Sequence, residues 1–154
     1  MQSAAPRPFA VQAAGPLVGR IAVPGDKSIS HRAVMFAGLA VGESRVEGLL
    51  EGEDVLATAA AMRAMGVEAQ RGEDGVWRIH GVGVGGLMQP RTALDMGNSG
   101  TSTRLLMGLA ATHPITATFT GDASLSRRPM ARVIEPLARM GADITATPGG
   151  TLPL

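Results

Sequence analysis

Two stretches of this chain repeat each other, and that duplication limits its architecture before anything else does. Ser28-Ile-Ser-His-Arg-Ala-Val-Met35 aligns with Gly100-Thr-Ser-Thr-Arg-Leu-Leu-Met107, Arg32 falling on Arg104 after 72 positions. Met62-Arg-Ala-Met-Gly-Val-Glu68 aligns with Leu137-Ala-Arg-Met-Gly-Ala-Asp143, Gly66 falling on Gly141 after 75. So small a drift is what one loop insertion inside a duplicated unit leaves. In each copy a loop of Gly, Ser, Thr and Asp runs into a first helix. A second helix follows and stops at Gly66 or Gly141, the residue type favoured just past a helix, where φ turns positive.

In the first copy the pattern from Ser28 to Gly66 predicts helix, strand, loop and helix, and residues 67–70 and 76–80 then read as extended around the turn Glu73-Asp74-Gly75. Helix 55–65 places Val55, Leu56, Ala59, Met62 and Met65 on one face, a methionine-rich stripe that reads as core packing. Pro129 suits the first turn of the later helix of the second copy, whereas Pro136 inside it should kink or interrupt it. The order strand, helix, strand, helix, strand pair makes an α/β chain in layers. The expected division is an extended segment over 1–20, a first unit over 21–86, and a second over 87–154 that is incomplete at its C-terminal end. The first twenty residues are rich in Ala and carry Arg7 but no acid, as a transit peptide would, yet Pro6, Pro8 and Pro16 argue against the amphipathic helix it needs.

A chain of 154 residues can bury about 70% of its extended surface, enough for one ordinary core. With 45% hydrophobic and 18% charged residues it reads as globular, not disordered. Gly, Arg or Pro interrupts every apolar run before the roughly 18 residues of a membrane helix, so no membrane partner is expected. The absence of cysteine excludes disulfides and thiolate ligands, and His31, His80 and His113 are too scattered for a zinc cluster, so no metal site is expected. A net charge of +1 provides no field for nucleic acid, and any anion site must be local. Of the 14 basic residues only Lys27 is a lysine, and it stands in the most loop-like stretch of the chain.

Three loops carry local charge. Val23-Pro-Gly-Asp-Lys-Ser-Ile-Ser-His-Arg32 delivers Lys27 and Ser28 to a helix start, where unpaired N–H groups and partial positive charge favour phosphate or carboxylate. It resembles half of a nucleotide-binding P-loop but fails it, because Asp26 separates Lys27 from Gly25. Leu94-Asp-Met-Gly-Asn-Ser-Gly-Thr-Ser-Thr-Arg104 repeats the arrangement, with Gly97 and Gly100 permitting positive φ and close approach of an oxyanion to the backbone. Gly121-Asp-Ala-Ser-Leu-Ser-Arg-Arg-Pro129 puts two guanidinium groups before a helix, against its dipole unless an anion lies there. Each loop taken alone is also explained as helix capping by Asn98 or Thr101, or as a solvated charged face. Three in register in a duplicated unit favour convergence, since equivalent helix starts lie on one side of the layers.

Other features read as structural. His80 is assigned to a strand, His113 to a loop, and His31 beside the first cluster to orienting a neighbour. Gly81-Val-Gly-Val-Gly-Gly86 lacks dinucleotide spacing and reads as a flexible connector, and Glu51, Glu53 and Asp54 open a helix, where the dipole favours them.

At these residues the chain resembles the N-terminal part of the 5-enolpyruvylshikimate-3-phosphate synthase family. Pro24-Gly-Asp-Lys-Ser-Ile-Ser-His-Arg32, Asp95-Met-Gly-Asn-Ser-Gly-Thr101 with Arg104, and Gly121-Asp-Ala-Ser-Leu-Ser-Arg-Arg-Pro-Met130 occur in the family's order and spacing, from about Val18 to the last residue. The third motif and Leu49-Leu-Glu-Gly-Glu-Asp54 are similar to the bacterial branch that includes glyphosate-tolerant enzymes. The resemblance implies an enolpyruvyl transferase fold of repeated βαβαββ units around a pseudo-threefold axis, of which this chain holds roughly two units of one domain. It implies a cytoplasmic enzyme of the shikimate pathway of aromatic amino acid biosynthesis. That enzyme transfers the carboxyvinyl group of phosphoenolpyruvate to the 5-hydroxyl of shikimate 3-phosphate with release of phosphate, without metal or organic cofactor.

By the same resemblance Lys27 touches both substrates, Ser28 and Arg32 hold shikimate 3-phosphate, Gly100 and Arg128 hold phosphoenolpyruvate, and Asn98, Thr101 and Arg104 shape that second pocket. Tolerant relatives carry Ala where this chain has Gly100, so the parent enzyme is expected to be inhibited by glyphosate. The partners expected are the two substrates and the C-terminal portion of the same enzyme, and the 154-residue piece is expected to be inactive alone. Two other readings compete: a non-catalytic phosphate-binding α/β module, and the sister carboxyvinyltransferase acting on UDP-N-acetylglucosamine. That sister typically has Asn after the lysine, where this chain has Ser28, and a loop cysteine.

Overall fold

The computed structural model describes residues 9–154; the expectations resting on Pro6, Arg7 and Pro8 lie outside the described residues. Residues 9–26 form no helix or strand, so the strand expected to open the first unit is not formed among the described residues. Leu17, Val18, Ile21 and Val23 are exposed, with no sheet edge against them. Helix α1 (Lys27–Leu39) then starts at an Asp26 cap, whose Oδ1 accepts from the Ile29 N–H at 2.7 Å. Strand β1 (Val41–Val46), helix α2 (Glu53–Ala64), and strands β2 (Glu68–Arg71) and β3 (Trp77–Val82) complete the first copy. These strands make a three-stranded antiparallel sheet in the order β1-β3-β2, with Ser44 opposite Ile79 and Ala69 opposite the same Ile79.

In the second copy β4 (Leu94–Asp95) and β5 (Phe119–Thr120) pair in parallel, with helix α3 (Gly100–Ala110) in the crossover, as parallel strands require. A single 3₁₀ turn (Leu125–Arg127) leads to helix α4 (Ala131–Arg139). α1, α2 and α3 pack together, and the core runs through Val34, Val55, Met62, Ile79 and Leu106, all fully buried. No helix among the described residues is long and apolar enough to cross a membrane.

The duplication persists at the level of single hydrogen bonds. Gly66 and Gly141 have φ of +96° and +99°, and each is followed by the same helix-ending bond, Val67 N–H to the Met62 carbonyl and Ala142 N–H to that of Leu137. The β2–β3 turn, with Gly72 N–H to the Val76 carbonyl and Gly75 N–H to that of Gly72, recurs as Thr147 to Thr151 and Gly150 to Thr147. Phe119 and Leu154 exchange both backbone bonds, at the register that Ser44 and Ile79 hold in the first copy. Residues 142–154 follow this course without forming regular strands.

Several local expectations need correction. Leu56 is 39% exposed, and the buried place on α2 that the stripe assigned to it goes to Thr58, which is hydrogen-bonded. α4 begins at Ala131, two residues after Pro129, because the buried Met130 gives its N–H to the Gly150 carbonyl and stays outside the helix. Pro136, the sixth of the nine residues of α4, does not end it; lacking an N–H, it leaves out the bond to the Arg132 carbonyl. Gly81 is no free connector: it lies in β3, and a Cβ there would meet the Ala37 and Ala40 carbonyl oxygens at 2.4 and 2.2 Å. β3 passes beneath the end of α1 only because that carbon is missing.

Candidate functional site

The starts of α1, α2 and α3 meet. At α1, Lys27 and Ser28 occupy the first two helical positions and Arg32 lies one turn on, its Nη1 donating to the Ser28 carbonyl at 3.0 Å. The Lys27 ammonium, half-exposed, pairs with the carboxylate of Asp54 in the first turn of α2. Asp54 in turn touches α3, since its carbonyl accepts from the Ser102 hydroxyl at 3.3 Å. The acidic residue that the sequence explains by the dipole alone is thus the lysine's partner.

The loop before α3 is capped by Ser99, not by Asn98 or Thr101: the Ser99 Oγ accepts from the Ser102 N–H at 3.3 Å. Gly97 takes the positive φ, +54°, whereas Gly100 is the first helical residue and has no such φ. Its lack of a side chain matters for space. A Cβ at Gly100 would sit 2.7 Å from Arg104 Nη1 and 3.2 Å from Arg128 Nη1, so the backbone here is walled by two guanidinium groups. Asn98 is exposed and bridges, its Nδ2 donating to Asp122 Oδ2 at 2.7 Å while its Oδ1 accepts from Arg128 Nη2 at 2.6 Å. Thr101 is exposed in the first turn of α3.

Arg104 donates from Nη1 to the Gly100 carbonyl at 3.0 Å and from Nη2 to the Pro129 carbonyl at 3.1 Å, while its Nε is buried without a partner. Burial, followed by the neighbouring Arg132 and Arg128, lowers its pKa from the ordinary arginine value. Arg128 is held in extended backbone after the 3₁₀ turn, and its Nη2 also reaches Ser124 Oγ at 3.3 Å. Arg127, its neighbour, points to solvent. Asp122 fixes this loop from below: the Asn98 amide, then the Leu125 N–H at 2.7 Å, hold its carboxyl below the usual range. Among the described residues no carboxylate pairs with Arg32, Arg104 or Arg128, while Lys27 has Asp54.

The structure therefore links Lys27 to the first turn of α3 through Asp54 and Ser102, and sets Arg128, held by Asn98, against Gly100. Sequence reasoning missed Asp54, Asp122 and Ser102, which act through partners distant in the chain. A lone Asp beside a helix start carries no mark of which cation it will meet. His80 lies on β3 and His113 in the turn after α3: His80 is 3.8 Å from the Glu43 carboxylate on the sheet, and His113 accepts the Gly85 N–H at 3.1 Å.

Fold and cluster together define a class: a duplicated α/β protein that gathers guanidinium groups without carboxylate partners at the starts of its helices. Comparison with known proteins identifies the member. The EPSP synthase (3-phosphoshikimate 1-carboxyvinyltransferase) family model matches residues 11–154, and the chain belongs to that family. It is 74% identical over 148 residues to the 3-phosphoshikimate 1-carboxyvinyltransferase of Novosphingobium aromaticivorans, a match covering 96% of this chain and 34% of that protein. Against the protein of the same name from Sphingopyxis alaskensis it is 74% identical over 157 residues, covering 99% and 35%. The EPSP synthase structure from Acinetobacter baumannii superimposes with a TM-score of 0.84 at 53% identity, covering 88% of this chain and 31% of that one. The fold is thus the α/β enolpyruvyl transferase fold, and the chain spans about a third of the length of these relatives.

Proposed function

We propose that this chain is the N-terminal part of a cytoplasmic shikimate-pathway transferase that moves the carboxyvinyl group of phosphoenolpyruvate to the 5-hydroxyl of shikimate 3-phosphate. In that reaction the bond from the vinyl carbon to the phosphate oxygen is exchanged for one to the 5-oxygen, and inorganic phosphate leaves. Both reactants are multiply charged anions. Each pair of like unit charges held about 4 Å apart at an effective dielectric of about 20 repels by about 4 kcal/mol. Fixed cations and helix-start amides that need no reorganisation are what offset such repulsion.

The observation that carries the reading is the meeting of Arg104 and Arg128 around the bare Cα of Gly100, at the start of the helix that Lys27 reaches through Asp54 and Ser102. In this reading Arg128 and the Gly100 backbone hold phosphoenolpyruvate, and Asn98, Thr101 and Arg104 shape its pocket. Ser28 and Arg32 hold shikimate 3-phosphate, and Lys27 leaves Asp54 to bridge the two substrates. The units run over 21–86 and 87–154, and the segments that the relatives carry beyond the matched region complete the site. Glyphosate competes at the Gly100 pocket.

The test is reconstitution: this chain is mixed with, or joined to, the complementary C-terminal portion of a relative, and phosphate release from both substrates is measured. Release that needs both pieces is expected; a folded, complete assembly that releases none would overturn the proposal.

A further inference from the structure

His31 lies one turn into α1 and is fully buried, 0% exposed. Its Nδ1 is 2.8 Å from the Thr58 hydroxyl on α2 and 3.1 Å from the Ser102 hydroxyl on α3. Those two hydroxyls are 2.6 Å apart, and the Ser99 hydroxyl, the α3 cap, is 2.6 Å from that of Ser102. The Asp54 carbonyl faces both, at 3.2 Å from Thr58 and 3.3 Å from Ser102. One imidazole thus joins the opening turns of all three helices that carry Lys27, Asp54, Gly100 and Arg104.

Counting donors decides the state of the ring. With hydrogen on Nδ1, the ring donates to Thr58, the Thr58 hydroxyl donates to Ser102, Ser102 donates toward the Asp54 carbonyl, and Ser99 donates to Ser102, so every donor has an acceptor. Nε2 is buried without a partner. Leaving a bare lone pair there costs less than burying an N–H that no acceptor meets. A second proton would place such an N–H there and add charge near Lys27 and Arg32 of α1, with only Asp54 of α2 in its favour; α3 presents hydroxyls. Burial accordingly lowers the His31 pKa.

We infer that His31, as the neutral Nδ1–H tautomer, is the positioning residue that sets the starts of α1, α2 and α3 against one another and so fixes the spacing of Lys27 from the Gly100 pocket. The inference rests on the proposed function for its effect on turnover, but not for the placement itself. A misplacement of about 1 Å in such a site costs about 100-fold in rate. The Asn side chain carries its amide where Nδ1 of histidine lies, whereas Gln carries its amide nearer Nε2. H31N therefore keeps the junction, and H31Q and H31A break it.

The experiment has two arms. In the 154-residue chain, nitrogen-15 NMR of the imidazole is expected to show hydrogen on Nδ1. The backbone amides of Lys27, Gly100 and Ser102 should shift in H31A and H31Q and stay near wild type in H31N. In the enzyme completed with its C-terminal portion, assayed well below its melting temperature, H31A and H31Q should lose about 100-fold in kcat with raised KM for both substrates. H31N should stay within about threefold of wild type. Hydrogen on Nε2, or H31Q matching H31N in both arms, would overturn the inference, and so would folded H31A with wild-type kcat. If the completed wild-type enzyme released no phosphate, the functional reading would fall, while the NMR arm would still decide the placement.

Discussion

Replacing Gly100 by Ala separates the architecture of the site from its chemistry. The added Cβ would stand 2.7 Å from Arg104 Nη1, 3.2 Å from Arg128 Nη1 and 3.6 Å from Leu125 Cδ1. The two closest atoms are the ends of flexible side chains, so they move and the backbone does not. Arg104 loses its 3.0 Å bond to the residue-100 carbonyl, worth about 0.5–1.5 kcal/mol. Ala in place of Gly in a helix returns up to about 1 kcal/mol. The two nearly cancel, and the variant is expected to fold with stability within about 1 kcal/mol of wild type. Binding should respond differently. Displacing one guanidinium from an anion removes a charge-assisted hydrogen bond of about 1.5–3 kcal/mol, which is about 10- to 100-fold in affinity. Denaturant unfolding of the chain and the KM for phosphoenolpyruvate in the completed enzyme measure the two sides, and glyphosate, the longer ligand, should lose more affinity than the substrate. A stability loss above about 3 kcal/mol would mean that the guanidinium ends are not free to move. An unchanged KM would mean that they do not hold the substrate.

Stability should fall with acid through His31. Its pKa is lowered in the fold from the ordinary 6.5, so the unfolded chain binds more protons below that value and stability drops as pH falls from about 6.5. The slope is at most about 1.4 kcal/mol per pH unit, and H31N should flatten it; equal slopes at pH 7.5 to 5.5 in the two proteins would contradict the assignment. Gly66→Ala should cost more than Gly141→Ala, because both hold positive φ but only at Gly66 would the new Cβ meet Met88, at 2.6 Å. About 1 kcal/mol is expected at Gly141 from the backbone alone, and the reverse order in urea unfolding would refute the packing account. The 154-residue chain by itself should release no phosphate from the two substrates, and the completed enzyme should be inhibited by glyphosate; turnover by the isolated chain, or tolerance of the completed enzyme, would count against the reading.

Most of the element order was legible because the duplication is carried by residues with strong local meaning. Gly66 and Gly141 end helices for a backbone reason, and Asp26 and Lys27 mark a helix start that needs no tertiary help. The convergence of the loops was legible for the same cause, since equivalent positions in a repeat fall on one side. What was not legible depends on contacts across the chain. Ser99 displaces Asn98 as the cap because Asn98 is occupied by Asp122 and Arg128, 24 and 30 residues away. Pro129 stays outside α4 because Met130 is held by Gly150. The role of Asp54 appears only when α1 and α2 pack, and the His31 junction joins residues separated by 27 and 71 positions. The strand expected to open the first unit has nothing to pair with among the described residues, and the order of elements does not say where its partner will be.

The central claim is that the opening turns of α1 and α3, with Arg128, form part of one cradle for two anions. A crystal structure of the completed enzyme with phosphoenolpyruvate and shikimate 3-phosphate bound tests it directly. Phosphoenolpyruvate should lie against the Gly100 backbone and Arg128, shikimate 3-phosphate against Ser28 and Arg32, and the Lys27 ammonium between them, released from Asp54. Either ligand seated away from these groups, or Lys27 still paired to Asp54 with both bound, would contradict it.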